Sequence, residues 1–395
     1  MQYCLMNKNK KVLNFEMQNN TILKRTELFD IHYAPICIYN AYYDKSKSLS
    51  KELNYWFKGR GIPSWRKDLE KLLMNLNVEN QEELLNKSYA LSLSDQYWFK
   101  PIHSNIQWKD INFFQNDFEY IAYLKATLGE KITLGSTLTS PNNTTDGMLP
   151  KGWIIENNER KLVKFNYTQY NQEPFNEWLA SQICSILKFD HCHYDLDLFE
   201  NHVISKCPNF LTDNQEIICA YDIFQLKRKS NSVNDLTHYI SILEEHGLKD
   251  AKQKLDEMLI IDFLLMNTDR HMKNFGVIRD VNTLEWVKTL PIFDTGQSLC
   301  CDLPTIAFDF SNGNGKLFYN TKKLFSEYLE LISDLSSYDF SKLKEVENAF
   351  KDVLYQYRPY TEMSELRIDA LVKGLDIRIN MLIHEQDRRN KIEKC

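Results

Sequence analysis

The chain has 395 residues, of which 43% are hydrophobic and 13% aromatic, so it carries enough apolar material for two or three packed domains and is not disordered as a whole. Its formal net charge of −6, from 48 basic and 54 acidic residues, argues against a nucleic-acid or anionic-membrane surface as its main function. No apolar signal segment opens the chain and no apolar run approaches the roughly 18–20 residues of a membrane span, so we expect a cytoplasmic protein that binds neither membranes nor nucleic acid directly.

Residues 1–130 mix short strand-like and helix-like segments. The segments LNFEM (13–17), IHYAPICIYN (31–40) and YALSLS (89–94) are typical of strands. Residues 67–77, KDLEKLLMNLN, place their leucines at helical spacing, which predicts an amphipathic helix. We therefore predict a mixed α/β region over residues 1–130, to which the sequence assigns no role.

Residues 131–226 predict a strand-rich lobe. A segment crowded with Gly, Ser and Thr, from Gly135 to Gly147, precedes two apolar runs that flank Asn157–Asn158, and this pattern is the signature of a β-hairpin. The segment EPFNEWLASQICSILKF has Pro174 near its start and apolar residues at helical spacing, which predicts a helix with one buried face. The run EIICAYDIFQL (216–226) predicts a further strand that then leaves the sheet.

Residues 227–395 predict a helix-rich lobe. The segment DAKQKLDEMLIIDFLLMN is a long apolar helix, and amphipathic helical patterns dominate the chain after residue 320. A strand-rich lobe followed by a helix-rich lobe is the order found in two-lobed phosphotransferases. We therefore predict an α+β, bilobal, protein-kinase-like fold with an additional N-terminal α/β region.

The apolar helix ends in a dense group of polar residues, NTDRHMKN, and this stretch is the candidate catalytic loop. Protein kinases place an aspartate, which accepts the proton of the acceptor hydroxyl, five residues before an asparagine that binds magnesium. Asp269 and Asn274 have this spacing, and Asp294 in PIFDTGQSL follows an apolar strand where a second metal-binding aspartate is expected. A hairpin that turns at residues 280–283 would return Asp294 to Asn274, and carboxylate and amide oxygens are ligands that Mg²⁺ accepts.

A cation for the nucleotide phosphates is expected in the strand-rich lobe. Lys164 in RKLVKF is the candidate, because it lies within the predicted hairpin. A lysine held in a strand needs an anionic partner, for which Glu177 on the following helix is the first choice and Glu173 the second. The Gly/Ser/Thr segment lies where a phosphate-covering loop would be, since its N–H and hydroxyl groups can approach phosphate oxygens.

Each of the loop residues also has a purely structural interpretation. Asp269 fits a helix cap, His271 a packed histidine, and Arg270 and Lys273 a solvated surface. The order of loop, strand lysine, helix glutamate, Asp-x4-Asn and second aspartate favours the catalytic interpretation. We further expect Arg270 or Lys273 to face the charge of a transferred phosphoryl group, and His271 to support the loop from inside the core.

Three strings, NTDRHMKNFG, PIFDTGQSL and SPNNTTDGMLPKGW, resemble the HipA-like serine/threonine kinases, a bacterial family linked to toxin–antitoxin systems. The resemblance covers roughly residues 130–385, whereas residues 1–130 do not resemble the small N-terminal domain of the best-known toxins. It implies a bilobal kinase fold, ATP and Mg²⁺ as cofactors, and Ser or Thr acceptors on protein substrates. It also implies an antitoxin or another regulatory partner.

The resemblance implies roles for the residues of the motifs. Asp269 would be the catalytic base, and Asn274 and Asp294 would be the magnesium ligands. Lys164, paired with Glu177, would contact the ATP phosphates.

The resemblance also implies an adenine site and autophosphorylation. The backbone of Ala220, Tyr221 and Asp222 would be the hinge that binds adenine. Members of the family autophosphorylate in the Gly/Ser-rich loop, which can eject that loop and silence the enzyme. The candidate hydroxyls in this chain are those of Ser136, Thr137, Thr139, Ser140, Thr144 and Thr145.

Two other functions stay open at this point. The string DRHMKN also resembles the Asp-Arg-His-x-x-Asn loop of phosphoinositide kinases, which would make the acceptor a lipid or small-molecule hydroxyl, although the chain has no basic membrane-facing cluster. A nucleotide-binding pseudokinase with a regulatory role is the non-catalytic alternative. The presence of Asp269, Asn274, Asp294 and Lys164 together argues against it, because a scaffold has no physical need for all four.

Overall fold

Three groups of secondary-structure elements follow one another along the chain, and each group has its own sheet or sheets. The computed structural model describes residues 1–64, 66, 69–130, 138–145, 147, 149–318 and 322–392. Within these residues, no helix is both long and apolar enough to cross a lipid bilayer.

The N-terminal region is built on a four-stranded antiparallel sheet with the strand order β3-β2-β1-β4. Its strands are β1 (Gln2–Asn7), β2 (Lys10–Gln18), β3 (Thr21–Leu28) and β4 (Tyr97–Pro101). Its helices are α1 (Ile36–Tyr43), α2 (Leu49–Gly59), α3 (Leu69–Asn75), α4 (Gln81–Lys87), α5 (Trp108–Ile111) and α6 (Ile121–Thr127). The predicted mixed α/β character is present in these residues.

The strand prediction for residues 31–40 is wrong. The Asp30 side chain accepts a hydrogen bond from the His32 N–H and caps a 3-10 turn, Ile31–Tyr33, and Pro35 then precedes α1. A proline just before a helix has no N–H to lose and already has a helix-compatible φ. Residues 89–94 are likewise irregular, because the sheet edge beside β1 is taken by β4.

The second group is a four-stranded sheet in the order β5-β6-β8-β7 with one long helix. Its elements are β5 (Lys151–Glu156), β6 (Glu159–Lys164), α7 (Glu173–Leu187), β7 (Asp195–Phe199) and β8 (His202–Pro208). The predicted β5–β6 hairpin is present, and Asn157 and Asn158 form its turn with φ values of 53° and 65°. Two positive φ values are what a two-residue hairpin turn requires, and asparagine tolerates them. Lys164 therefore lies at the end of a strand that is paired on both sides.

The third group is mainly helical. Its helices are α8 (Ala220–Phe224), α9 (Asp235–Glu245), α10 (Ala251–Leu265), α11 (Phe325–Leu331), α12 (Lys344–Tyr357) and α13 (Glu365–Ile392). Its strands are β9 (Gln215–Cys219), β10 (Arg270–His271), β11 (Gly276–Asp280), β12 (Trp286–Thr289), β13 (Asn314–Phe318) and β14 (Lys322–Leu324). The two-lobed α+β organisation that the sequence predicts follows the N-terminal region.

Two small sheets bring the motifs of the third group together. Strand β11 pairs antiparallel with β9 and with β12, so the predicted hairpin after Asn274 is present. Strand β10 pairs parallel with β13, which pairs antiparallel with β14. Helix α10 is buried along nearly its whole length and lies in one continuous apolar core with α7, α9, α12 and α13. The loop that follows α10 is therefore attached to the most rigid part of this lobe.

Candidate active site

Three charged side chains meet where the strand-rich lobe faces the helix-rich lobe. The Lys164 Nζ lies 2.5 Å from Glu177 Oε1 and 2.7 Å from Asp294 Oδ1, and it donates to the Tyr194 hydroxyl at 3.3 Å. The Lys164 and Glu177 side chains are only 3% and 1% exposed, whereas that of Asp294 is 24% exposed. The predicted ion pair between Lys164 and Glu177 is thus present, and Asp294 is the member of the group that solvent reaches.

Opposite charges favour the ionised forms of Lys164 and Asp294, whereas burial has the larger effect on Glu177. Burial disfavours the charged form of Lys164, but the Asp294 and Glu177 carboxylates outweigh it and hold the lysine pKa above its usual value. Burial likewise acts to raise the pKa of Asp294, yet the Lys164 charge outweighs it and the pKa falls well below its usual range. For Glu177, burial dominates and the pKa is raised, although Lys164 and a hydrogen bond from the Ser205 hydroxyl act to lower it.

Glu173, the second-choice partner of Lys164, has a different contact. Its carboxylate accepts hydrogen bonds from the Tyr167 and Thr168 N–H groups, at 3.0 and 2.6 Å, and from the Thr168 hydroxyl. It therefore fixes the chain between β6 and α7. This leaves Glu177 as the partner that the helix presents to Lys164.

The candidate catalytic loop begins where α10 ends. Met266 takes a left-handed conformation, with φ 51° and ψ 49°, and its N–H returns to the last turn of the helix. The Asn267 side chain then donates to Asp262 Oδ1 at 2.8 Å and accepts from the Asp269 N–H at 3.0 Å. Asp269 is therefore held by its backbone, and its carboxylate, 38% exposed, stays available to a ligand.

Asn274 closes the loop and leaves one atom for a cation. Its amide Nδ2 donates to the Asp269 carbonyl at 3.1 Å, and its backbone N–H donates to the His271 carbonyl at 2.8 Å. Because the amide nitrogen is used inside the loop, the amide oxygen is the atom that can face a metal ion. Asp294 supplies a carboxylate from the chain that the β11–β12 hairpin brings back. One carboxylate and one amide oxygen fit Mg²⁺, which takes its remaining ligands from phosphates and water.

Arg270 links three elements from inside the protein. Its side chain is 0% exposed, its Nε and Nη2 donate to the Asp262 carboxylate at 2.9 Å, and its Nη1 donates to the Asn274 and Phe293 carbonyls at 2.9 and 2.8 Å. These bonds join α10, the loop and the chain just before Asp294. The expectation that Arg270 lies on a solvated surface or faces a transferred phosphoryl group is therefore wrong.

The sequence led us to expect that His271 supports the loop from inside the core, and this expectation is wrong. Its side chain is 41% exposed, and its Nε2 lies 3.9 Å from Asp269 Oδ2. Adjacent residues of a strand point to opposite faces, so the burial of Arg270 turns His271 outward. Burial raises the pKa of Asp269, and the charge of Asp294 adds to this, while the charges of His271, Lys316 and Arg270 lower it; the net direction is upward.

The predicted adenine hinge is engaged in other contacts. Ala220 and Tyr221 open the short helix α8, and their N–H groups donate to the Phe275 and Met272 carbonyls at 2.9 and 3.1 Å. The Asp222 carboxylate accepts a bond from the Cys219 thiol. These two N–H groups are therefore not free to pair with a base, which argues against an adenine hinge at this position. Three partly exposed apolar side chains, Leu162, Phe210 and Phe293, pack on the cluster of Cys192, Tyr194 and Cys207, and the Tyr194 hydroxyl contacts Lys164.

Four of the six candidate phosphorylation sites lie in described residues, and all four hydroxyls already donate to backbone carbonyls. Ser140 and Thr145 are buried, whereas Thr139 and Thr144 are half-buried. The carbonyl acceptors of Thr139, Ser140, Thr144 and Thr145 belong to Lys87, Glu119, Leu91 and Asn142, in that order. Ser136 and Thr137 lie outside the described residues.

Two further residues near the site, Tyr194 and Lys316, were not predicted from the sequence. Tyr194 is 2% exposed, and its hydroxyl contacts both Lys164 Nζ and the Asp294 N–H. Lys316 lies on β13, beside the loop strand β10. Neither stands in a motif with a fixed spacing from Asp269, so only contacts between distant parts of the chain reveal them.

The chain is similar to known proteins in sequence and in fold. The family model described as the HipA-like C-terminal domain matches residues 131–357, which is more than half of the chain. The chain belongs to this family. A curated relative, the serine/threonine-protein kinase CtkA of Helicobacter pylori strain J99, is 29% identical over 162 residues, which cover 37% of this chain and 49% of CtkA. The match thus spans about half the length of that relative, and the family includes a protein kinase.

Two solved structures resemble the whole or part of the chain. The Helicobacter pylori proinflammatory kinase CtkA is matched with a TM-score of 0.47 and 20% identity over 62% of this chain and 95% of that chain. HipA of Shewanella oneidensis MR-1, solved with HipB and operator DNA, is matched with a TM-score of 0.52 and 11% identity over 98% of this chain and 99% of that chain. The predicted bilobal kinase-like fold is confirmed, and the likeness in fold extends into the N-terminal region, beyond the range of the sequence resemblance.

Proposed function

We propose that this member of the HipA-like family is an ATP- and Mg²⁺-dependent protein kinase that phosphorylates Ser or Thr residues. The observation that carries the proposal is that Lys164 joins Glu177 to Asp294, and that Arg270 ties the chain just before Asp294 to the loop that holds Asp269 and Asn274. A buried lysine between two carboxylates is costly for a protein that has no ligand to place beside it.

In this proposal, Lys164 binds the nucleotide phosphates, and Asn274 and Asp294 hold the metal ion. Magnesium supplies positive charge that neutralises the phosphates during transfer. Asp294, which contacts Lys164 at 2.7 Å, would hold the metal ion, and Lys164 would donate to a phosphate oxygen. Glu177, buried beside Lys164, keeps the lysine in position throughout.

We place adenine against the apolar side chains of Leu162, Phe210 and Phe293 instead of the α8 backbone. These side chains are partly exposed and lie on the same cluster as Tyr194, the neighbour of Lys164. An adenine ring that covers them would leave its phosphates directed toward Lys164. A purine stacked on apolar and aromatic side chains gains stability from burial as well as from ring contacts.

Asp269 then orients the acceptor hydroxyl and takes its proton as that oxygen bonds to the γ-phosphorus and the bond to the bridging oxygen of ADP breaks. Its raised pKa makes it a better proton acceptor than an ordinary aspartate. Its backbone is held by Asn267 and Asn274, which supports a fixed position for the carboxylate. Positioning and electrostatics would supply most of the rate enhancement.

Substrate, regulation and domain roles are proposed from the relatives. The name of CtkA supports Ser or Thr acceptors, and the HipB complex of the Shewanella relative supports a regulatory protein partner. We divide the chain into an N-terminal region (1–130), a strand-rich lobe (131–226) and a helix-rich lobe (227–395), although β9, near the end of the second segment, pairs with β11 of the third. Autophosphorylation at Thr139, Ser140, Thr144 or Thr145 would require that segment to leave its present carbonyl contacts.

The experiment is incubation of purified protein with radiolabelled ATP and Mg²⁺, alone, with a cell lysate, and with a lipid extract. Asp269→Asn is the matched variant, because it removes the base and keeps the shape of the side chain. We expect label in the protein or in lysate proteins with the wild type and none with the variant. Nucleotide binding without any transfer would favour a pseudokinase, and label confined to lipid would favour a phosphoinositide-type kinase.

A further inference from the structure

The hairpin of β13 and β14 places a lysine beside the candidate base. Strand β13 pairs parallel with β10 in the register Arg270–Leu317 and His271–Phe318. Asp269 comes just before Arg270 and Lys316 comes just before Leu317. Asp269 and Lys316 therefore lie side by side, one residue before the first pair of β10 and β13. Aligned residues of neighbouring strands project to the same face of a sheet. The Lys316 side chain is half-buried.

Close packing fixes this hairpin against the loop. A Cβ atom on Gly315 would lie 2.7 Å from the Asn267 carbonyl oxygen and 2.7 Å from the Tyr328 hydroxyl, so only glycine permits the approach. Phe318, at the other end of β13, packs its ring on Tyr239 and Phe275 with centroids 6.1 and 5.7 Å apart. The backbone that carries Lys316 is therefore tied to the loop on both sides.

Two other cations of the site have carboxylate partners. Lys164 contacts Glu177 and Asp294, and Arg270 is fully buried against Asp262. The ammonium group of Lys316 forms no ion pair or hydrogen bond with any residue that the structure describes. Its charge nevertheless reaches the Asp269 carboxylate.

We propose that Lys316 is a further catalytic residue, whose ammonium group contacts the transferred phosphoryl group on the side of Asp269. The inference rests on the proposed kinase function. During transfer the acceptor oxygen bonds to the γ-phosphorus, the bond to the bridging oxygen of ADP breaks, and the acceptor proton goes to Asp269. Lys316 keeps its proton and donates a hydrogen bond to a phosphoryl oxygen, where charge is greatest in the transition state.

The test compares Lys316→Met, Lys316→Gln and Lys316→Arg with a control on the same hairpin. The control is Lys323→Met, because the Lys323 side chain is 37% exposed and its Nζ lies 3.9 Å from Glu327, a partner outside the site. The readouts are kcat, the KM for ATP and the affinity for Mg²⁺–ADP. We expect kcat of the Met and Gln variants to fall about 100-fold, as when one donor to a developing charge is removed, with the KM for ATP and the Mg²⁺–ADP affinity unchanged. The arginine variant should retain most of the activity, and the Lys323 variant all of it.

Each outcome decides between the two proposals. An active wild type whose Met and Gln variants match the Lys323 control overturns the role of Lys316 alone. A loss that appears only in the KM for ATP, or that the arginine variant does not relieve, also overturns it, because a structural or nucleotide-binding role would act in that way. An inactive wild type overturns the kinase function and this inference with it.

Discussion

The buried ion pair between Asp262 and Arg270 predicts how strongly the candidate loop is held. Both side chains are 0% exposed, and the Asp262 carboxylate also accepts the amide of Asn267 at 2.8 Å. Asp262→Ala leaves the guanidinium buried without its counter-charge, which costs about 3–5 kcal/mol of unfolding free energy. The amide left without an acceptor adds about 1 kcal/mol or more. We therefore expect a destabilisation of at least about 4 kcal/mol.

Thermal unfolding followed by circular dichroism measures this effect. At roughly 2–4 °C for each kcal/mol in domains of 150–250 residues, the melting temperature should fall by about 10 °C. Phosphotransfer, assayed well below that temperature, should fall as well. The reason is that Arg270 would no longer hold the Asn274 and Phe293 carbonyls, which flank the proposed metal ligands.

Two further variants separate stability from loop geometry. Glu216→Ala removes another buried carboxylate, which lies 2.6 Å from Arg279 in the β9–β11 sheet, and it should destabilise without comparable loss of activity in the folded protein. The double variant Asp262→Leu with Arg270→Met removes both charges, so it should recover much of the stability of the single variant. It should stay poorly active, because the loop carbonyls still lack their donor.

A melting temperature of Asp262→Ala within the error of the wild-type value would contradict this prediction, since the ion pair would then contribute nothing to stability. Wild-type phosphotransfer activity in the double variant would also contradict it, because the geometry of the loop would then not depend on Arg270.

The remaining predictions concern charge. Glu177→Gln, which keeps the shape but not the charge beside Lys164, should lower phosphotransfer about 100-fold by misplacing the lysine, as measured in the labelling assay. Because the pKa of Asp269 is raised, kcat/KM should begin to fall on acidification at a higher pH than it would with an ordinary aspartate as the base. Asp269→Asn should remove this acidic decline of the pH profile together with most of the activity. Hydrogen bonds from Arg388 and Arg389 lower the pKa of Glu385 to about 2. Glu385 therefore stabilises the fold at any pH above its unfolded-state pKa, and this stability is lost as the pH falls toward 2. Glu385→Gln should abolish that part of the pH dependence, at a cost of about 1 kcal/mol or less at neutral pH, as measured by urea unfolding.

Short-range patterns predicted much of this site. Patterns of neighbouring residues predict the strand that ends at Lys164, the helix that carries Glu177 and the turn between β11 and β12. The order of these elements along the chain brings the charged groups together. The five-residue step from Asp269 to Asn274 is likewise a local feature, which the bond between the Asn274 amide and the Asp269 carbonyl now explains.

The roles of Arg270 and His271 were assigned the wrong way round, because a two-residue strand has no periodicity to read. Which of the two neighbours points inward is set by the pairing of β10 with β13, more than forty residues further along the chain, and by the buried carboxylate of Asp262. The same long-range pairing positions Lys316. Local sequence carries no record of such partners, so reasoning from spacing alone could not find them.

Described residues of the N-terminal region form hydrogen bonds with the chain that connects the strand-rich lobe to the helix-rich lobe. The N–H of Ile217 donates to the Ser94 carbonyl at 3.0 Å, the Gln96 amide donates to the Gln215 carbonyl at 2.6 Å, and the Asn209 amide donates to the Leu93 carbonyl at 3.2 Å. This connection joins β8, the strand next to the one that carries Lys164, to β9, which pairs with the hairpin that leads to Asp294. One of these bonds holds the connection itself, at Asn209, and the other two hold β9, so the described N-terminal residues are attached to the chain where it passes from the sheet of Lys164 to the sheet of the β11–β12 hairpin.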